Sequence, residues 1–110
     1  MEIQIKKEQR NYAIKCLAHE QEQVVGRITV YIMYNDLHDE PFGYIEDLFV
    51  EETCRGKGYG GQLLTRAIQE AKEAGCYKLV ATSRYERTAI HAWYEKSGFV
   101  DYGKEFRMNF

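Results

Sequence analysis

The densest run of glycine and cation in the chain is Arg55-Gly56-Lys57-Gly58-Tyr59-Gly60-Gly61. Glycines carry no Cβ, so their main-chain amides can approach an anion closely, and a helix that begins at such a loop adds the partial positive charge of its amino terminus. Arg55 and Lys57 bring formal charge beside them. This composition suits the holding of phosphate or pyrophosphate. The plain alternative is a tight turn with solvated cations, and the position of the run, between a β-rich segment and a helical pattern, favours an anion site. Gly56, Gly58 and Gly61 also fit the dinucleotide pattern G-x-G-x-x-G. That pattern wants an acid about 20 residues on to hold a ribose, and Lys78 to Ser83 contains none. The ATPase-type loop G-x-x-x-x-G-K-[ST] is absent.

The elements that must position this loop follow from periodicity. Ile3 and Ile5 alternate with polar neighbours, and Tyr12, Ile14 and Cys16 do so again after a polar break, which predicts two short strands. A polar turn at Glu20 to Gln23 leads into a longer alternating strand, Val24 to Tyr34. After the polar, mostly acidic segment Asn35 to Pro41, the β-rich run Tyr44-Ile45-Glu46-Asp47-Leu48-Phe49-Val50 predicts a fourth strand. Beyond the glycine loop, Leu63, Leu64, Ala67, Ile68 and Ala71 fall on one face of a helix that Gly75 stops. Tyr77 to Thr82 reads as a short buried strand, and Ser83 with Glu86 spells a capping box for a second helix carrying Ala89, Ala92, Trp93 and Lys96 and ending at Gly98. From Phe99 onward, Val100, Tyr102, Phe106, Met108 and Phe110 alternate with polar residues, predicting one or two terminal strands. The order is β-β-β-β-α-β-α-β, with a crossover helix that requires one parallel strand pair.

The glycine segment also reads Arg-x-x-Gly-x-Gly through Arg55, Gly58 and Gly60, and Trp93-Tyr94-Glu95-Lys96-Ser97-Gly98-Phe99 follows it downstream. With Tyr44 to Val50 ahead of them, these two motifs resemble the GNAT superfamily of N-acetyltransferases. The resemblance covers Gly43 to Phe99 by motif and the flanking strands by pattern. It implies an α+β domain spanning residues 1–110, with a central mixed, mostly antiparallel sheet of about six to seven strands and two main helices. The helices that members carry between their first two strands are missing, since Lys7 to Asn11 leaves room only for a turn. The wall on the amine side is therefore expected to be short, and a second subunit completing the cleft, as a homodimer, is an expectation. Arg87 stands where many members have asparagine, although a subgroup with R-x-x-x-H reads similarly through Arg87 and His91.

By the same resemblance the cosubstrate is acetyl-CoA. Its pyrophosphate would lie on Arg55, Gly56, Lys57, Gly58, Tyr59, Gly60 and Gly61, and its pantetheine arm along the main chain of Leu48, Phe49 and Val50. Tyr94 matches the tyrosine that donates a proton toward the coenzyme A sulfur in many members. A substrate ammonium has a pKa of about 10, so acetyl transfer also needs a route for proton removal. Glu46 is the leading candidate base: it shares a strand face with Tyr44 and Leu48, whereas Asp47 points the other way unless a bulge intervenes. A chain of waters is the third route. The expected activity is acetyl transfer from acetyl-CoA to a primary amine, small-molecule or peptide, by direct attack. The alternatives are a non-catalytic acetyl-CoA or CoA binding module, and a nucleotide-binding or purely structural domain. His91 and Trp93 read as packing residues, and the acidic loop Asp36 to Glu40 reads as a solvated surface.

Composition narrows the classes. The 110 residues, 45% of them hydrophobic, suit one domain with a single core. A formal net charge of -2 gives no field for nucleic acid or an anionic membrane, so any anion site is local. No apolar run approaches the roughly 20 residues of a membrane span, and the amino terminus has no signal-like stretch, so a cytoplasmic location is expected. Cys16, Cys54 and Cys76 have neither disulfide nor zinc spacing, and no metal is expected.

Overall fold

A computed structural model describes residues 1–110. Three strands come first: β1 (Tyr12–Glu20), β2 (Gln23–Met33) and β3 (Phe42–Val50). A single 3-10 turn, Glu52–Cys54, precedes helix α1 (Tyr59–Glu73), which is followed by the short strand β4 (Leu79–Ala81) and helix α2 (Thr88–Lys96). The sheet runs in the order β1-β2-β3-β4; the first two pairings are antiparallel and β3 pairs β4 in parallel. The parallel pair is the one that α1 crosses between, as a crossover connection demands.

Alternation in the sequence builds the core directly. Ile28, Val30 and Ile32 of β2 present one fully buried face, joined by Ile45 of β3 and, half-buried, by Ile14, Cys16 and Ala18 of β1. Onto this face α1 lays Leu63, Leu64, Ala67 and Ala71, the apolar stripe expected from helical spacing. Fully burying one such aliphatic side chain contributes about 1.5–3 kcal/mol. Gly26 leaves room for a side chain of α1, and Gly43 for one of the neighbouring strand β4. A Cβ on Gly26 would sit 3.1 Å from Leu63 Cδ1, and one on Gly43 only 2.8 Å from Leu79 Cδ1.

The β1–β2 hairpin turns on Gln21 and Glu22, both at positive φ (52° and 68°), the backbone twist that a two-residue hairpin requires. α1 stops at Ala74 with Gly75 at φ 84°, and α2 is followed by Gly98 at φ 104°, so both glycine stops act as expected.

Three expectations fail. The sheet has four strands, not six to seven. Ile3 and Ile5 form no strand, and the alternating residues from Val100 to Phe110 form none either; both ends are exposed and residues 100–110 make no backbone hydrogen bonds. Period-two alternation makes a strand only where the segment pairs along an edge, and neither terminal segment pairs with β1 or β4, the two edges of the sheet. The capping box also fails. α2 begins at Thr88 after Arg87, with no side-chain cap, because a turn closed by Arg87 N donating to Arg84 O (3.1 Å) separates Ser83 from the helix. The chain has a radius of gyration of 16.0 Å, against about 13 Å for a compact domain of this length. No helix is long and apolar enough to cross a membrane.

Candidate active site

The site grows from a mismatch between two strands. β4 pairs with Gly43, Tyr44 and Ile45 and ends there, while β3 runs on to Val50. The stretch Glu46 to Val50 therefore has β2 on one side and no strand on the other. At the fork the β2–β3 register slips: Thr29 faces Glu46 and Arg27 faces Phe49, so Asp47 and Leu48 together oppose Ile28. This is a β-bulge, and Asp47 takes φ 59° to make it. The open half of β3 floors a cleft of about 1300 Å³.

The glycine loop closes one end of this cleft. Gly56 and Gly58 lie at φ 82° and 81°, conformations glycine adopts at little cost. Gly58 is the amino-terminal boundary of α1 with no side-chain cap, and the first amide to reach back is Gln62 N, donating to Gly58 O at 3.1 Å. The amides of Tyr59, Gly60 and Gly61 are left for an outside acceptor. No heavy atom lies within 4 Å of where a Cβ would project at Gly56, Gly58, Gly60 or Gly61. The loop thus has the open, amide-lined concavity that a pyrophosphate fits.

The cations beside it are more engaged than their sequence position suggests. Lys57 Nζ lies 3.4 Å from Glu20 Oε2 at the β1–β2 hairpin, and Tyr59 donates its hydroxyl to the same carboxylate. The Tyr59 hydrogen bond, then the Lys57 charge, hold the Glu20 carboxyl below its ordinary pKa, and Glu20 raises that of Lys57. Arg55 Nε donates to Val50 O at 2.9 Å, and its guanidinium lies against the Phe49 ring at 5.6 Å, where that of Arg27 also lies at 4.8 Å. Arg55 therefore ties the loop to the end of β3 as well as charging it.

At the fork stand the two candidate catalytic residues. Glu46 lines the cleft with a carboxylate that has no hydrogen-bond partner in the chain. Asp47 is occupied: Arg27 Nε donates to its Oδ2 at 2.9 Å. The bulge that the side-chain alternation left open is thus present, and it hands Asp47 to Arg27. Tyr94 reaches the cleft from α2, half-buried between Trp93 and Phe99, with ring centroids at 5.3 and 5.2 Å. Burial first, and then the nearby Glu46 charge, raise its pKa, while Arg87 opposes them. A phenol so placed keeps its proton at neutral pH.

The sheet's geometry brings together every residue expected at the cofactor and the fork. Of these, all but Lys57 line the cleft; Lys57 sits outside the lining, turned to Glu20. The acidic loop Asp36 to Glu40 is not part of it. The wall beyond β4 is what sequence reasoning missed. Tyr44 and Thr82 share a hydrogen bond of 2.9 Å across the strand ends, and the buried Ser83 Oγ has no partner. His91, expected only to pack, donates Nε2–H to Arg84 O at 2.8 Å and fixes the turn that carries Arg84 and Arg87. The R-x-x-x-H spacing was the one available signal. Glu105 to Met108 also line the cleft, from a segment expected to form a terminal strand.

A match to the acetyltransferase (GNAT) family model covers residues 2–99. The chain belongs to the GNAT family. It is 32% identical over 68 residues to glucosamine 6-phosphate N-acetyltransferase 1 of Oryza sativa, an alignment over 62% of this chain and 39% of that protein. It is 31% identical over 77 residues to aminoalkylphosphonate N-acetyltransferase of Salmonella typhimurium, covering 70% and 50%. Among solved structures, glucosamine-6-phosphate N-acetyltransferase of Arabidopsis thaliana superposes with a TM-score of 0.78 at 25% identity, over 89% of this chain and 67% of that one. The chain spans between two-fifths and half the length of these curated relatives. The GNAT fold is present here with two helices on a four-stranded mixed sheet.

Proposed function

We propose that this chain is an acetyl-CoA-dependent N-acetyltransferase that passes the acetyl group directly to a primary amine. The observation that carries this reading is the unpartnered half of β3, Glu46 to Val50, running from Tyr94 at the fork to the glycine loop at its far end. A pantetheine arm pairs there as a strand would, through the main chain of Leu48, Phe49 and Val50. Arg55, Gly56, Gly58, Tyr59, Gly60 and Gly61 take the pyrophosphate, and Lys57 adds charge behind them. Acetyl-CoA supplies the activated acyl group when bound.

The chain's own residues then divide the work. Glu46, unpaired at the fork, accepts a proton from the incoming ammonium, so that the amine nitrogen has a lone pair to offer the thioester carbon. The carbon–nitrogen bond forms, the carbon–sulfur bond breaks, the Tyr94 hydroxyl gives its proton to the departing sulfur, and the second proton shed by the nitrogen as it becomes an amide restores the phenol. A main-chain amide at the bulge faces the carbonyl oxygen. The acceptors named for two relatives, glucosamine 6-phosphate and aminoalkylphosphonates, carry primary amines. A second subunit over the amine side belongs to this reading, and a fully active monomer in sedimentation removes it.

Calorimetric titration with acetyl-CoA, with NAD and ATP as controls, tests the cosubstrate. Saturable one-to-one binding of acetyl-CoA alone supports the reading. Tyr94→Phe then separates an enzyme from a binding module: affinity for acetyl-CoA is kept while acetylation of an amine falls. An unchanged rate takes Tyr94 out of the chemistry, and binding with no transfer to any amine leaves a CoA-binding module.

A further inference from the structure

Four of the seven residues from Arg55 to Gly61 are glycine, and nothing lies within 4 Å of where their Cβ atoms would project. Packing does not hold this backbone, and glycine has more freedom to lose on ordering than any other residue. Amides that meet an anion tightly have to be fixed beforehand. Three side-chain hydrogen bonds do this for the loop. Arg55 Nε donates to Val50 O at 2.9 Å and ties the loop to the strand it leaves. The other two end on a single oxygen, Glu20 Oε2, which accepts from the Tyr59 hydroxyl and from Lys57 Nζ at 3.4 Å. Glu20 is the one side chain from a distant part of the chain that bonds the loop.

The β1–β2 hairpin is shaped to put it there. Near the tip the register slips: Ala18 faces Gly26 and His19 faces Val24, so Val25 is an extra residue on β2. Val25 is buried, and its carbonyl accepts Glu51 N–H at 2.7 Å just past the end of β3. The hairpin tip therefore grips the segment between β3 and α1 at both ends, through the main chain at Glu51 and through the Glu20 carboxylate at Lys57 and Tyr59. Tyr59 is the first residue of α1, so fixing its hydroxyl fixes the turn whose amides are free. Lys57 balances the carboxylate, and the two are partly exposed, so the ion pair itself contributes little. Glu20 does not line the cleft. Resting on the acetyltransferase reading, we propose that Glu20 is a positioning residue for the cosubstrate, holding the first turn of α1 through the Tyr59 hydroxyl so that its amides face the pyrophosphate.

Calorimetric titration of acetyl-CoA into the intact protein and its variants, with thermal melts alongside, tests this. Glu20→Ala weakens acetyl-CoA by about fivefold or more, the loss of one hydrogen bond to a carboxylate, with thermal stability nearly unchanged. Tyr59→Phe gives the same loss, and the double variant loses no more than either alone, because both remove one bond. Glu20→Gln keeps an amide oxygen that accepts from Tyr59 and restores affinity to within about twofold of the unaltered protein. Glu22→Gln, the same charge change in the same hairpin without a bond to the loop, leaves affinity intact. Unchanged affinity in Glu20→Ala overturns the inference. Tighter binding overturns it as well, since Glu20 would then compete with the cosubstrate for Lys57. A Glu20→Gln variant as weak as Glu20→Ala also overturns it, by making the charge and not the hydrogen bond responsible. If the unaltered protein does not bind acetyl-CoA, the acetyltransferase reading falls by itself, and hydrogen exchange of the Gln62 amide, which is bonded to Gly58 O, decides the positioning. Faster exchange in Glu20→Ala that Glu20→Gln reverses keeps Glu20 as the residue that orders this turn, and equal exchange removes it.

Discussion

Gly60→Ala separates what the glycine loop does for the fold from what it does for a ligand. Gly60 is the second residue of α1, lacks a positive φ, and has nothing within 4 Å of an added Cβ. Alanine there meets no clash and is the better helix former, by up to about 1 kcal/mol in a helix interior. It also lowers the entropy of the unfolded chain, an effect of about 0.4–1 kcal/mol. The free protein should therefore be more stable by about 0.5–1 kcal/mol, a rise of a few degrees in Tm, since about 1 kcal/mol moves a domain of this size by roughly 4–8 °C. The same methyl stands in the cleft where the pyrophosphate approaches the first-turn amides. A charge-assisted hydrogen bond contributes about 1.5–3 kcal/mol, so loss of one weakens acetyl-CoA by at least about tenfold. Gly58→Ala has the opposite effect on stability, because φ 81° costs an alanine about 1–2 kcal/mol, and the same effect on binding. Thermal melts and calorimetric titration of both variants read the four quantities. Undiminished acetyl-CoA affinity in Gly60→Ala would refute the first-turn amides as the cradle.

Tyr94 has its pKa raised, chiefly by burial, so as a proton donor it stays competent through neutral pH. Turnover should fall only as pH rises above the ordinary tyrosine value of about 10, and Tyr94→Phe should remove that alkaline limb from a pH–rate profile. Glu46→Gln should lower kcat by about 10² or more at neutral pH with acetyl-CoA affinity unchanged by calorimetry; a normal kcat transfers proton removal to water. Leu64→Ala, at a site only 2% exposed beneath the sheet, should cost about 2–5 kcal/mol, seen as a lower denaturant midpoint.

Local pattern was enough for much of this molecule. The β2 alternation, the α1 stripe and the stops at Gly75 and Gly98 depend on neighbours within a few turns of chain, so they were legible without a partner. The backbone of the glycine loop was legible for the same reason: Gly56 and Gly58 supply the φ near +80° that glycine adopts at little cost. The bulge at Asp47 was left open by sequence because it is a register slip against β2, decided by how Arg27 and Thr29 meet the far strand. The Ser83–Glu86 pattern misled because a local capping signal cannot report that Ser83 is turned into a cleft and that α2 starts later. The alternating ends from Ile3 and Val100 misled because strand propensity is realised only where a segment pairs along an edge, and neither end pairs with β1 or β4. Sequence alone determined the local elements and the candidacy of the glycine loop, Tyr94 and Glu46. The tertiary structure alone decided that β4 stops short of β3, because strand length is settled by what packs and pairs beside it; that mismatch opens the cleft.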